Sequence, residues 1–408
     1  MTLGVKPPSV QMHAPRLEDE TFQRSQAHVA RAGIVLAAMA FVLNTASPAA
    51  ERAVLRYDGR QIHVEGRLLN VADDGRHLLQ TSDGVLWAVQ LDDLLDLKRD
   101  TEEFAPLDSA ALGEALLDEL PAGFEVHRTA HYVICHDTTR AYASWCGALL
   151  ERLNRAFTNY WSRRGFELHE PDFPLVAIIF ARRADYREYA ALEVGEAASS
   201  TIGYYNLRTN RITTYDLTGS DALRGTGGRS TSARQINALL SRPEAGWLVA
   251  TVIHEATHQI AFNCGLHTRY ADIPLWISEG IAVCFETPDL STQRGWKAID
   301  NVNPERQRAF RAYRRRRPAD SLQTLISSDE RFRDASAATD AYAEAWALNY
   351  FLMRQRREDY HRYLQMLAEK QPLDELGPQE RYAEFVAVFG EDLTALDAEF
   401  LRYIDRLD

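Results

Sequence analysis

The sequence predicts an α+β protein: a small N-terminal antiparallel β module, then a mixed sheet with packed helices, then a helical C-terminal subdomain. Three observations carry this. Apolar and polar positions alternate over residues 51–98, as in Gln61-Ile62-His63-Val64-Glu65, the period of half-buried strands. Residues 120–230 switch between that period and the helical one. From Ser232 onward the apolar positions follow helical spacing.

Residues 1–50 are a leader. Arg24 and Arg31 precede an apolar run, Ala32 to Leu43, and small residues follow from Asn44 to Ala50. That order is the pattern of a secretory signal with cleavage near Ala49. The run is shorter than the roughly twenty residues a membrane span needs. The expectation is therefore an exported protein (periplasmic, cell-envelope or extracellular). An anchor formed by residues 32–43 is the alternative, and membrane contact is expected only if that segment is retained.

The β module follows over residues 51–100, with turn signals at Asp73-Asp74-Gly75 and Ser82-Asp83-Gly84; an SH3-like barrel is compatible with it. Lys98 to Glu103 reads as a charged linker. Val126 to Cys135 then reads as one strand, and Arg140 to Arg163 as a helix with an apolar stripe through Trp145, Leu149, Leu150 and Phe157. Phe173 to Phe180 is a buried strand and Ala184 to Glu193 a helix. Ile202 to Tyr215 is a hairpin turning at Arg208-Thr209-Asn210. Gly225 to Ser232 is a flexible connection. Trp247 to Phe262 is a buried helix ended by Gly265, Leu275 to Phe285 a second helix, and further helices run from Pro304 to the C-terminus.

The net charge of −12 argues against nonspecific nucleic-acid binding, which needs a basic surface. Four cysteines are too few for a disulfide scaffold. A bridge between Cys135 and Cys146 is compatible with the strand-then-helix layout. Cys264 and Cys284 lie at opposite ends of an antiparallel helix pair, on the order of 20 Å apart, and read as buried small hydrophobes.

The chemistry lies in His254-Glu255-Ala256-Thr257-His258. Four residues are a little over one helical turn, so both imidazoles emerge from one face and can share a metal. The adjacent Glu255 carboxylate is placed to act as general base without being a ligand. Placing these groups in a buried helix would otherwise carry a desolvation cost with no return. A His/His site becomes a catalytic zinc site with a third, anionic ligand and an open fourth position. Glu279, the only charge in Pro274-Leu275-Trp276-Ile277-Ser278-Glu279-Gly280-Ile281-Ala282, fits that need. Glu286, seven residues on, shares its helix face and is either an alternative ligand or a partner for an imidazole. Asp272 and His267 fall in the loop before that helix. A metzincin would need glycine at 261 and histidine at 264; Ala261 and Cys264 stand there.

The H-E-A-T-H-Q segment, the Asn-Cys-Gly turn and P-L-W-I-S-E-G-I-A together resemble the gluzincin clan of zinc metallopeptidases, and most resemble its uncharacterised bacterial peptidase-MA-like proteins. The similarity spans roughly residues 120–390 and is sharpest over 250–288. Tyr204-Tyr205, Thr209-Asn210-Arg211 and Tyr215-Asp216 look typical of that group, as does the preceding β module. The resemblance implies a zincin-like catalytic domain over residues 120–290, with residues 291–408 as the helical subdomain. It implies one Zn2+ held by His254, His258 and Glu279, Glu255 as catalytic base, and a peptide or protein substrate paired along the edge of the 202–215 segment. It also points to Tyr342 as a donor to a developing oxyanion. Two features depart from the pattern. Val283 stands where many gluzincins place a carboxylate that orients a zinc-bound histidine, and the exopeptidase G-x-M-E-N signature is absent.

A rival reading keeps the metal but not the catalysis: a silent zinc-binding protein that holds peptide or cell-envelope polymer. Hydrolysis of other amides or esters is a weaker rival. Arg314 to Arg317 reads as a solvated run at a helix C-terminus. His131 and His136 fall on opposite faces of one strand and cannot share a metal. Trp145, Trp161 and Trp247 read as core.

Overall fold

The computed structural model describes residues 49–220, 223, 232–287, 290, 296, 299 and 301–407. The leader and most of the 225–232 connection lie outside them. Among the described residues no helix is long and apolar enough to cross a membrane.

The N-terminal module is five strands, β1 (Ala49–Tyr57), β2 (Arg60–Val71), β3 (His77–Thr81), β4 (Leu86–Val89) and β5 (Leu94–Glu103). They form an antiparallel sheet in the order β4-β3-β2-β1-β5. β4 and β5 are thus the two edges of the sheet. Alternation gives it a core of its own, with Ala53, Leu55, Val64, Leu79 and Val89 buried together. The charged residues expected to form a linker instead extend β5: Glu51 stands opposite Arg99 and Ala49 opposite Glu103. Charges are tolerated there because β5 is an edge strand.

Residues after the module form α1 (Ser109–Glu119), opened by Asp108, which accepts hydrogen bonds from the amides of Ala110 and Ala111. The expected single strand over 126–135 is two, β6 (Glu125–Arg128) and β7 (Tyr132–His136). Between them the chain reverses at Thr129 to His131, with the Thr129 amide donating to the Tyr132 carbonyl. Glu151 fixes that turn by accepting from Thr129 Oγ1 and the His131 amide, both at 2.7 Å. His131 therefore lies outside the strand; its ring sits between Glu151 and Glu170, away from His136.

The second sheet is completed by β8 (Leu175–Phe180), β9 (Gly203–Asn206) and β10 (Arg211–Tyr215), in the order β6-β7-β8-β10-β9. The two inner pairings are parallel and the two outer ones antiparallel, so the sheet is mixed and β9 is an edge. The hairpin turns as expected, with Asn210 in the left-handed region at φ 60°.

Helices α2 (Arg140–Ser162), α3 (Arg183–Val194), α4 (Ala233–Leu240), α5 (Gly246–Ala261) and α6 (Leu275–Phe285) belong to this half. Then come α7 (Pro304–Arg314), α8 (Ser321–Ser327), α9 (Glu330–Arg333), α10 (Ala338–Gln355), α11 (Arg357–Ala368), α12 (Pro378–Phe389) and α13 (Leu393–Asp405). One buried apolar cluster reaches from Leu112 to Ile404, so the sheet and the C-terminal helices share a core. Phe157 of α2 against Phe285 of α6, and Trp276 of α6 against Tyr363 and Phe385, carry that continuity.

Other expectations fail for identifiable reasons. Cys135 and Cys146 form no bridge, and Cys284 is only half-buried. Cys135 and Cys146 pack in the apolar core, and burial pushes the Cys135 thiol up to about 12. Trp247 is 41% exposed, because the first turn of α5 turns Leu248 and Val249 inward instead. Arg317 is not solvated: its side chain is 3% exposed and bonds both Glu344 and Asp397. A fully buried Glu344 needs that cation.

Candidate metal centre

Helix α5 carries the H-E-x-x-H residues and crosses the second sheet. Gln259 ties it there by donating to the carbonyls of Val176 (3.0 Å) and Asn210 (2.7 Å). Asn263, just past the helix, exchanges side-chain hydrogen bonds with Asn210, and the Tyr205 hydroxyl donates to Asn210 Oδ1. The edge hairpin is thus bolted to the helix beneath it. The helix stops at Ala261, and Gly265 beyond it takes the left-handed conformation (φ 88°) that lets the chain turn back. Helix α6 is held at its first residue by Asp329, which accepts from the Leu275 amide at 2.9 Å and is itself paired with Arg381.

These two helices bring His254, His258 and Glu279 together, with one ligand atom from each lying within 4.8 Å of the others. The two Nε2 atoms are 3.2 Å apart, His254 Nε2 is 3.0 Å from Glu279 Oε2, and His258 Nε2 is 3.5 Å from Glu279 Oε1. Ligands about 2.0–2.1 Å from a tetrahedral zinc stand about 3.3 Å from each other. The donor set and its spacing therefore fit such an ion, and this is the one such group of three among the described residues. All three side chains are buried.

Glu255 is fully buried beside them. Its Oε2 accepts the Tyr205 amide of β9 at 2.8 Å, while Oε1 has no hydrogen-bond partner. A buried carboxylate oxygen left unmet is costly. Burial pushes the Glu255 carboxyl up from its ordinary 4.5, against the pull of His254 and His258. Glu279 behaves oppositely: burial would raise it, but His258 and His254 hold it down at about 2. Burial would lower His254, yet Glu279 and Glu286 draw it up to about 10. Protons and metal compete for such a nitrogen.

Tyr342, on α10, is buried with its hydroxyl against Glu279; burial first, then the charges of Glu279 and Glu255, keep the phenol protonated. Its ring is framed by Phe332 at 5.3 Å and the Arg306 guanidinium at 5.7 Å. Glu286 caps the end of α6 and its Oε2 is 3.3 Å from His254 Nδ1. Of the two roles open to it, the geometry gives the imidazole partner. Asp272 is taken by Lys370 and Arg381. His267 is buried near Phe262, and burial first, then His258, push it down to about 3. Val283 is buried, so its position offers the site nothing polar.

Sequence reasoning missed the Tyr205 amide, a main-chain donor with no residue signature, and Arg306, which shares no motif with the ligands. The Asn303-Pro304 helix start was the signal available for Arg306, but it announces a helix and not its neighbours.

Residues 248–374 match a family described as a protein of unknown function (DUF1570). The matched stretch contains the three candidate ligands, Glu255, Glu286, Arg306 and Tyr342, and excludes both sheets. The chain matches no curated protein.

Proposed function

We propose that this chain is a zinc-dependent metallopeptidase, with His254, His258 and Glu279 as ligands and Glu255 as general base. The observation that carries the reading is the convergence of three ligand atoms at tetrahedral spacing beside a buried carboxylate oxygen that lacks a partner. Zinc, when bound, supplies Lewis acidity toward a water and a substrate carbonyl. The chain's own residues supply the rest. Glu255, raised by burial, takes a proton at Oε1 and returns it to the leaving amine; Oε2 stays tied to the Tyr205 amide, which fixes the plane of the carboxylate. Tyr342, kept protonated, donates toward the developing oxyanion. The edge strand β9 meets Glu255 through the Tyr205 amide, and a strand at the sheet edge beside the base suits pairing with an extended peptide.

The test is cleavage of a peptide library by the purified chain, with and without a chelator, beside Glu255→Gln. Expected is chelator-sensitive cleavage that Glu255→Gln abolishes while zinc content is kept. Cleavage by Glu255→Gln at the parental rate would remove Glu255 from the mechanism. An inert parent that holds zinc would favour the silent binding protein.

A further inference from the structure

Glu286 accepts at every face of its carboxylate. Oε1 takes bonds from Asn303 Nδ2 and Arg306 Nε, both at 3.0 Å; Oε2 takes Arg306 Nη2 at 3.2 Å and faces His254 Nδ1 at 3.3 Å. An ionised carboxylate can only accept, so the proton of the imidazole sits on Nδ1. Glu279 Oε2 faces the other nitrogen, Nε2, which is also turned toward His258; a metal there would take the place of the proton on Nε2, while Glu286 would keep the one on Nδ1.

The plane of Glu286 is not set by its own helix, which ends there. It is set by α7. Arg306 grips it with two nitrogens of one rigid fork, a geometry that fixes orientation as well as distance. Asn303 adds the third bond, and its Oδ1 also accepts the Glu305 and Arg306 amides as the N-cap of α7. One helix start therefore locks both donors to Glu286. The Arg306 charge also answers a second need. Glu279 and Glu286 flank one imidazole on opposite nitrogens, and both are buried; without a cation the pair would be costly to keep ionised.

We propose that Arg306 is a positioning residue for the metal-binding nitrogen of His254, acting through Glu286. Helix α7 thereby becomes part of the metal centre although it carries no ligand. The inference rests on the zinc reading above, and its test is chosen so that the two fail separately.

Zinc affinity is measured by competition with a chromophoric chelator on the full chain and on Glu286→Ala, Arg306→Met and the double variant, each checked for fold by circular dichroism. Loss of a partner that orients a ligand costs roughly 10–100-fold in affinity. Glu286→Ala is expected within that range, Arg306→Met at its low end, roughly tenfold, and the double variant no weaker than Glu286→Ala alone. A purely structural role for Arg306 would leave affinity unchanged or make the losses multiply, and either result overturns the proposal. Should Arg306→Met not fold, Arg306→Lys keeps the charge and removes the fork; parental affinity in that variant overturns the proposal equally. A parent that binds no zinc sinks the proposed function itself, and this inference with it.

Discussion

Gly280 follows the candidate ligand Glu279, and the structure gives a reason for glycine there that is independent of catalysis. A Cβ built on it would stand 1.9 Å from Asn349 Nδ2, 2.6 Å from Asn349 Cγ and 2.9 Å from the Ala345 carbonyl oxygen. The first two belong to a side chain, but one that is pinned: Asn349 donates to the Trp276 and Ala345 carbonyls, both at 2.8 Å, and accepts from the Tyr360 hydroxyl. The third is backbone of α10. Gly280→Ala must therefore part α6 from α10 or expel the Asn349 amide. Three terms decide the sign. Alanine in a helix interior gains about 0.5–1 kcal/mol over glycine. Overpacking costs about 1–3 kcal/mol, and each buried hydrogen bond broken at Asn349 costs about 0.5–1.5 kcal/mol more. With one such bond broken the losses win, by about 0.5–4 kcal/mol.

The assay is urea unfolding of the zinc-free chain, so that metal linkage does not mask the change. The midpoint should fall for Gly280→Ala, and Asn349→Ala in that background should cost less than Asn349→Ala alone, because there it also removes the two atoms nearest the new Cβ. Since α10 also carries Tyr342, turnover should fall more than stability at assay temperature explains. A Gly280→Ala chain as stable as its parent, or losses that simply add, would refute the argument that close helix approach requires the glycine.

Other outcomes follow from the same contacts. Glu279→Ala should lose zinc on dialysis while Glu286→Ala retains part of it, read as metal content per chain; full retention by Glu279→Ala would move the third ligand elsewhere. Tyr342→Phe should lower kcat by about 10²-fold with little change in KM, measured on whichever peptide the parent cleaves. Arg317→Met should destabilise by about 3–5 kcal/mol in urea, since Glu344 at 0% exposure would keep Arg331 and the Ser321 hydroxyl, both on Oε2, and lose the cation on Oε1. For Glu151, burial opposes the charge, but bonds from Thr129 and His131 outweigh it and hold the carboxyl below its ordinary 4.5. Its contribution is thus full above the unfolded value and lost as pH falls through the depressed one, so Glu151→Gln should flatten the acid limb of stability against pH.

The legible parts of this chain were those whose signal is local. The bounds of α5 and α6 could be read to within a residue because a continuous apolar pattern on either side of two histidines and one glutamate admits few other periods. The hairpin of β9 and β10 was legible from its turn residues. What was missed turns on partners distant in sequence. The break between β6 and β7 contains no glycine or proline and exists because Glu151, twenty residues on, satisfies the turn. Helix α1 announces itself only by Asp108 and a short stripe of two leucines. Trp247 and Arg317 were misread for one shared reason: composition sets what a residue prefers, while its neighbours in space decide whether it is covered.

The same division runs through the candidate site. The candidate ligands and the proposed base lie on two adjacent helices and follow from spacing, so they are written in one short stretch of chain. The groups that orient them come from elsewhere: β9 holds Glu255 through a main-chain amide, α7 holds Glu286, and α10 brings Tyr342. A chain could preserve His254, Glu255, His258 and Glu279 and still lose the alignment of every one of them through changes at Arg306, Asn210 or Gly280. The motif therefore specifies which chemistry is available, and the helices packed around it specify whether that chemistry is aligned.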